Sequence, residues 1–502
     1  MIKTGCVNAG TRRRNSMLKK SVLVVVVVVL FLTIPVTSFA SDENEGPSPY
    51  WLIPFATVLL SIAVIQFITK RRWDMNVAVG LGLLVIGYYM SENPQRMTET
   101  GLEYFSFLSL IGSLFVVSGG IYINVPSGRA TPLTNVGLLA IGAVVANIVG
   151  TTGASMMLIR PYLQLNKGRV RPYHIAFFIF VVSNIGGAVT PVGDPPLLMG
   201  YLQGIPFFWI SGRVLPIWFM TVGIVLVEFF IIDLLHFQKL PKGQEAITKA
   251  EAEPGQKTGG LLNVIFICVI LGAVFWTTPW REVVMIGSAA GSWVYTRLME
   301  PWIHQNNKFS FAPITEVAIL FFGIFATMVP ALEWLETNAA SLGIQTAGQF
   351  FWATGSLSAV LDNTPTYLNF LYTAMGLLVN PETIAQVQAV LNNPELLLAS
   401  SQNVQTLVAG INQYFPGQVL SADQMQVAYL MILWPKFLVA ISIGAVFCGA
   451  ITYIGNGPNL MIWAFVKEHE LPCPSFFGYI FKYSLLYLIP VFVLVWLVMF
   501  VL

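Results

Sequence analysis

GAVTPVGDPPLLM, residues Gly187–Met199, and GAITYIGNGPNLM, residues Gly449–Met461, are near-copies lying 262 positions apart. Seven of thirteen positions are identical without a gap, and Val189/Ile451, Val192/Ile454 and Asp194/Asn456 are conservative. Each copy stands inside an apolar stretch and is crowded with Gly, Pro, Thr and Asp or Asn. Hydrocarbon tolerates non-helical backbone only where protein or a water-filled cavity covers it. Paired Gly/Pro interruptions at corresponding places in two halves of a chain point to a transporter's binding site.

Working outward, the 502 residues are 56% apolar and only 10% charged. Soluble domains carry about 25% charged residues, so most of this chain belongs in lipid. A formal net charge of +2 gives no footprint for nucleic acid. Cys6, Cys268, Cys448 and Cys473 lack CxxC spacing and read as small hydrophobes. Basic residues Arg12–Arg14 and Lys19–Lys20, a short apolar run and Ser38-Phe39-Ala40 predict a cleavable signal sequence over 1–40. The alternative is an uncleaved first helix. Residues after Ala40 then begin outside the cell.

Apolar stretches fall near 50–69, 74–90, 104–124, 135–163, 173–212, 213–236, 261–278, 281–296, 311–331, 344–379, 427–467 and 477–501. Two of them, 135–163 and 344–379, are cut at Gly150–Gly153 and Asp362–Pro365 into pieces too short for a span of about 20 residues. They are expected to be re-entrant hairpins. The stretches 173–212 and 427–467 hold the copied motif and are expected to be broken helices. Threading from an outside start places sixteen of the twenty Lys and Arg after Ala40 inside and four outside, namely Arg96, Arg213, Arg281 and Lys436. Both halves then follow one order: three helices, hairpin, broken helix, helix. The expected fold is an all-α polytopic membrane protein of two inverted-topology repeats, 41–237 and 261–502, joined by a cytoplasmic linker at 238–260. An extracytoplasmic insert without Lys or Arg occupies 380–426. The expected location is the plasma (cell inner) membrane.

A helix broken at mid-membrane exposes N–H groups on one piece and carbonyls on the other. Gly193 and Gly455 are expected to supply positive φ, and Pro196 and Pro458 to open the restarting helices. Thr190, Thr452, Asp194 and Asn456 offer oxygens there, and the hairpin tips add Asn147, Thr151, Thr152, Asp362, Asn363 and Thr364. Structural kinks capped by Thr and Asp are the plainer reading; duplication at matched places favours a paired site. A carboxylate in a bilayer costs at least ~2.5–3.5 kcal/mol and by default marks function. Asp194 and Asp362 are therefore the residues expected to bind sodium, or to alternate between proton and cation. Glu228 and Asp233 read as interfacial, Arg160 as an orientation signal, and Lys436 as a snorkelling lysine. The four histidines show no ligand spacing, and no cofactor is called for beyond sodium and protons as moving ions.

Ser183–Phe207, Ala359–Phe370 and Gly444–Met461 resemble the signature segments of the ion transporter superfamily, which holds NhaD-type sodium/proton antiporters, arsenite permeases and citrate or dicarboxylate carriers. The resemblance covers most of 50–501 and is nearest the antiporter and citrate branch. It implies two inverted repeats, often paired in a homodimer. In the dicarboxylate carriers Ser-Asn-Thr tips hold substrate carboxylates and sodium; here the tips read Gly150-Thr151-Thr152 and Asp362-Asn363-Thr364. Asp362 puts negative charge where an anion would bind, which favours a cation/proton antiporter over a coupled citrate/dicarboxylate carrier. An intramembrane enzyme would need a motif such as HExxH or GxSxG, and neither is present. The expected partners are membrane lipid and a small inorganic cation, with no nucleic acid.

Overall fold

The computed structural model describes residues 47–68, 73–125, 130–239 and 258–502. The predicted signal sequence, Lys70–Arg72, Arg129 and most of the 238–260 linker lie outside the described residues. The first half comprises α1 (Leu52–Ile68), α2 (Trp73–Glu92), α3 (Pro94–Gly119), α4 (Pro132–Leu165), α5 (Pro172–Val181), α6 (Pro195–Leu202) and α7 (Phe207–Phe237). The second comprises α8 (Asn263–Ala273), α9 (Trp280–Met299), α10 (Pro301–Asn306), α11 (Ala312–Thr337), α12 (Ala347–Ser358) and α13 (Asn363–Leu378). It continues through α14 (Pro381–Asn392), α15 (Gln402–Tyr414), α16 (Ala422–Leu433), α17 (Pro435–Cys448), α18 (Gly457–Glu468) and α19 (Phe476–Val501). Among the described residues the only β pairing is one antiparallel bridge, Tyr122 to Gly259. Among the described residues six helices are long and apolar enough to cross a membrane, and the molecule is an all-α polytopic membrane protein.

Local chemistry places the helix starts. Proline, whose missing N–H costs nothing in a first turn, opens α3, α4, α5, α6 and α17. Asn93 accepts from the Arg96 N–H at 3.1 Å to cap α3, and the pairs Thr131/Thr134 and Thr346/Gln349 make reciprocal capping boxes on α4 and α12. Small residues let helices close up: a Cβ on Gly323 of α11 would lie 2.5 Å from the Ala78 carbonyl of α2. Phe107 of α3 stacks on Phe321 of α11, with centroids 4.8 Å apart.

α4 is not a span, although it is long enough for one. Asn135 and Asn166 exchange side-chain hydrogen bonds of 2.9 and 2.7 Å, yet a straight helix would hold them about 46 Å apart. The reversal happens at Gly150, whose φ of 79° only glycine adopts readily. α12 and α13 turn back in the same way across 359–362, bringing Phe350 and Phe370 to 6.1 Å between ring centroids. Both expected hairpins exist. α3 measures their depth. Arg96 at its start bonds Tyr372 of the second hairpin, while Ser118 and Gly119 at its end share a pocket with Met156 and Arg160 of the first. Both tips meet its middle, near Ile111. The hairpins therefore enter from opposite ends of the bundle.

Two expected boundaries move. The first broken helix stops at Leu202, because Gly204 (φ 107°) and Pro206 turn the chain before α7. The second starts at Pro435: Trp434, with φ −126° and ψ 46°, leaves the helical region before proline, and α16 meets α17 at 101°. The insert 380–426 is folded into α14, α15 and the start of α16, and Arg96 ion-pairs with its Asp423. Asp233 has more partners than its sequence position suggests. It lies near the end of its helix as expected, but it is fully buried within the protein and is held by Arg169, Tyr173, Asn135 and His174 at the base of the first hairpin.

Candidate functional site

The repeated motif folds the same way twice. After α5 a short turn, Ile185–Ala188, leads into Thr190, whose hydroxyl donates to the Asn147 carbonyl of hairpin one (2.7 Å) and accepts from the Gly193 N–H (3.1 Å). After α17 the turn Gly449–Ile451 leads into Thr452, which donates to the Ala359 carbonyl of hairpin two (2.6 Å) and accepts from the Gly455 N–H (3.2 Å). Each threonine thus clasps a broken helix to its hairpin. Neither threonine lines the pockets beside Asp194 and Asp362.

Gly193 and Gly455 correct the expectation made of them. Neither has positive φ. What they supply is room: a Cβ on Gly193 would lie 2.1 Å from the Gly187 carbonyl oxygen, and one on Gly455 2.6 Å from the oxygens of Gly449 and Ser358. Asn147 is also framework, since its amide donates to the Ala143 and Gly186 carbonyls and its oxygen accepts from the N–H groups of Val189 and Thr190.

Asp194 is where everything converges. It is the N-cap residue of α6 and 1% exposed. Thr151 from the first tip donates to Oδ1 at 2.6 Å, and Asn363 from the second tip donates to Oδ2 at 2.6 Å. Asn456, the N-cap residue of α18, donates to both oxygens at 3.1 and 3.4 Å. Both hairpins and both broken helices therefore touch one carboxylate. Its donors are all neutral, and no ion pair among the described residues includes Asp194 or Asp362. The N-termini of α6, α13 and α18 meet here, and their partial positive charge favours an anionic group or one awaiting a cation.

Asp362 does different work. It caps α13 by accepting from the Thr364 N–H at 3.0 Å. Its pocket is shared with Thr152, Thr364, Asn456 and Phe115, while Asp194 lines a neighbouring one with Thr151 and Thr152. Thr152 stands on the boundary between them.

Several site residues were missed. Asn184 donates to the Asn459 side chain at 2.6 Å and lies 3.2 Å from the Asn456 amide, joining the halves beside Asp194. Ser155 and Ser183 pair at 2.7 Å behind the first tip. The signal for Asn459 lay in a mismatch: the first copy has apolar Leu197 there. A polar residue replacing an apolar one in a buried repeat needs a partner.

The arrangement suits a dehydrated monovalent cation or a proton, with carboxylate, hydroxyl and amide oxygens at hand. Among the described residues no three His, Cys, Asp or Glu side chains gather into a metal site. No curated protein matches the chain. Residues 44–500 match the family model CitMHS_2, described as "Putative citrate transport", and the chain belongs to that family of membrane transporters.

Proposed function

We propose that the protein is a secondary transporter that exchanges sodium for protons at Asp194, with Asp362 as the neighbouring carboxylate of the same path. The observation that carries this reading is the set of contacts around Asp194, which joins both hairpin tips and both broken helices through neutral donors alone. A carboxylate so placed can be neutralised by one proton or one cation, and competition for it couples the two fluxes. The two halves act as inverted repeats that rock about this point. The hairpin entries from opposite ends of α3 support that motion, and the sorting of basic residues supports an orientation with Arg160 and Lys308 on the cytoplasmic side.

A second reading is a sodium- or proton-coupled carrier of citrate-class anions, favoured by the family match over 44–500. Proteoliposomes carrying an internal pH dye separate the two. Antiport predicts a pH change driven by sodium or lithium alone, reduced at least about a hundredfold in Asp194→Asn; a carboxylate-to-amide change keeps the shape and removes the charge. Silence toward cations, with sodium-dependent uptake of labelled citrate, would replace antiport by the carrier.

A further inference from the structure

One pocket has the opposite electrostatic character from the carboxylate site and opens beside it. It lies between the returning limb of hairpin one and the loop before α11, and its lining includes Ser118, Arg160, Lys308 and Ser310. Phe115 lines this pocket and both carboxylate pockets, so it forms the partition between them.

Among the described residues neither basic side chain forms an ion pair with an acidic one. Arg160 rests over the Phe465 ring of α18 at 5.0 Å. Among the described residues its guanidinium makes no hydrogen bond or ion pair, although Glu468 is within electrostatic reach. A guanidinium offers five donors in a fork that matches a carboxylate, and those donors here are unspent. Lys308 meets a ring and not a carboxylate: its Nζ lies 3.3 Å from His469 Nε2, and His469 Nδ1 lies 2.8 Å from the Phe465 carbonyl oxygen. The loop is tied down, because Asn307 donates to the carbonyls of Gly119 and Ile121, both at 2.9 Å. Lys308 itself holds φ 43°, a left-handed conformation that non-glycine residues seldom adopt. The lysine backbone is thus held, and among the described residues neither positive charge is taken up by an ion pair.

We infer that Arg160 and Lys308 form a docking site for a small polycarboxylate of the citrate class, outside the Asp194 site and separated from it by Phe115. The guanidinium takes one carboxylate through two parallel hydrogen bonds and the ammonium takes a second as a point charge. This goes beyond the proposed cation exchange and does not depend on it. The carboxylates of Asp194 and Asp362 repel a polyanion at the crossing, whereas this vestibule attracts one.

The test is calorimetric titration of the purified full-length protein with citrate, succinate, acetate and chloride at constant ionic strength. Citrate is expected to bind saturably, succinate more weakly, and acetate and chloride without saturation. Arg160→Gln should weaken citrate about tenfold and Lys308→Gln about threefold, while Asp194→Asn leaves it unchanged. Arg160→Lys, which keeps the charge and the Phe465 contact, should fall between, and thermal unfolding verifies that each variant is folded. Absent citrate binding overturns the inference. So does binding indifferent to Arg160 but lost in Asp194→Asn, or binding abolished by added phosphatidylglycerol, which would assign the pair to lipid headgroups. Failure of sodium/proton exchange would register in the liposome flux and leave these titrations as they are.

Discussion

The two copies of the repeated motif are built alike and charged differently. Each has a threonine clasping a hairpin carbonyl, two glycines packed backbone to backbone, and a polar N-cap before the restarting helix. At that N-cap one copy has Asp194 and the other Asn456. A perfectly duplicated site would set two carboxylates against each other. Here the second copy has become a donor to the first, and repulsion is replaced by a hydrogen bond of 3.1 Å. Duplication supplied the geometry, and divergence at one position made a single charge centre from it.

Restoring the symmetry should have the largest effect. Asn456→Asp puts a second carboxylate about 3 Å from Asp194, where repulsion between two full charges is roughly 5 kcal/mol at an effective dielectric of 20. The pair would hold a shared proton at neutral pH, and sodium-driven flux should fall about a hundredfold. Undiminished flux in the liposome assay would mean that Asn456 is not a donor to an ionised Asp194. The exchanged pair, Asp194→Asn with Asn456→Asp, sharpens the point. It should recover only part of the flux, because Thr151 and Asn363 serve position 194 and nothing equivalent serves 456. Full recovery would show that only the charge at the crossing counts.

The framework that the copies share can be compared next. Gly193→Ala forces a Cβ to within 2.1 Å of a backbone oxygen, against 2.6 Å for Gly455→Ala. Backbone cannot swing aside as a side chain can, so overpacking should cost about 3 kcal/mol at Gly193 and roughly 2 kcal/mol at Gly455. Gly457→Ala, with nothing within 4 Å of the added methyl, is the control and should be within about 0.5 kcal/mol of the parent. Unfolding midpoints in detergent that ranked the three otherwise would contradict the packing described for the two loops.

The hairpins and broken helices were legible because membrane segments are punctuated so sparsely. Gly150, Asp362–Pro365 and the repeated motif interrupt otherwise apolar runs, and a polar break in hydrocarbon admits few structures. The boundaries at Gly204–Pro206 and Trp434–Pro435 were harder, since apolar residues flank both turns and hydropathy passes over them. The partners of Asp233 were hidden for a different reason. Position near a helix end suggests an interface and says nothing of Arg169, Tyr173 and His174, which folding brings to it from outside its own helix. Gly193 shows a further limit. Glycine announces an unusual backbone requirement without saying whether that requirement is a positive φ or a near neighbour. The Asn184–Asn459 bond spans 275 residues and no local pattern encodes it. Recognising the types of residue at the crossing was possible; knowing which of them touch Asp194 required the fold.

The smallest effect concerns the tips, which differ as the motifs do. Gly150 turns the first hairpin through positive φ, whereas Asp362 turns the second by capping α13. Asparagine caps as well as aspartate, while alanine forfeits the cap at about 1 kcal/mol. Asp362→Asn should therefore unfold with the parent, and Asp362→Ala should be about 1 kcal/mol less stable. Comparing their fluxes then separates charge from architecture. If Asp362 shares the cation path, both variants lose sodium-driven exchange alike, despite unequal stabilities. If it is only a cap, Asp362→Asn transports like the parent, and the path is left with the one carboxylate that all four broken elements hold.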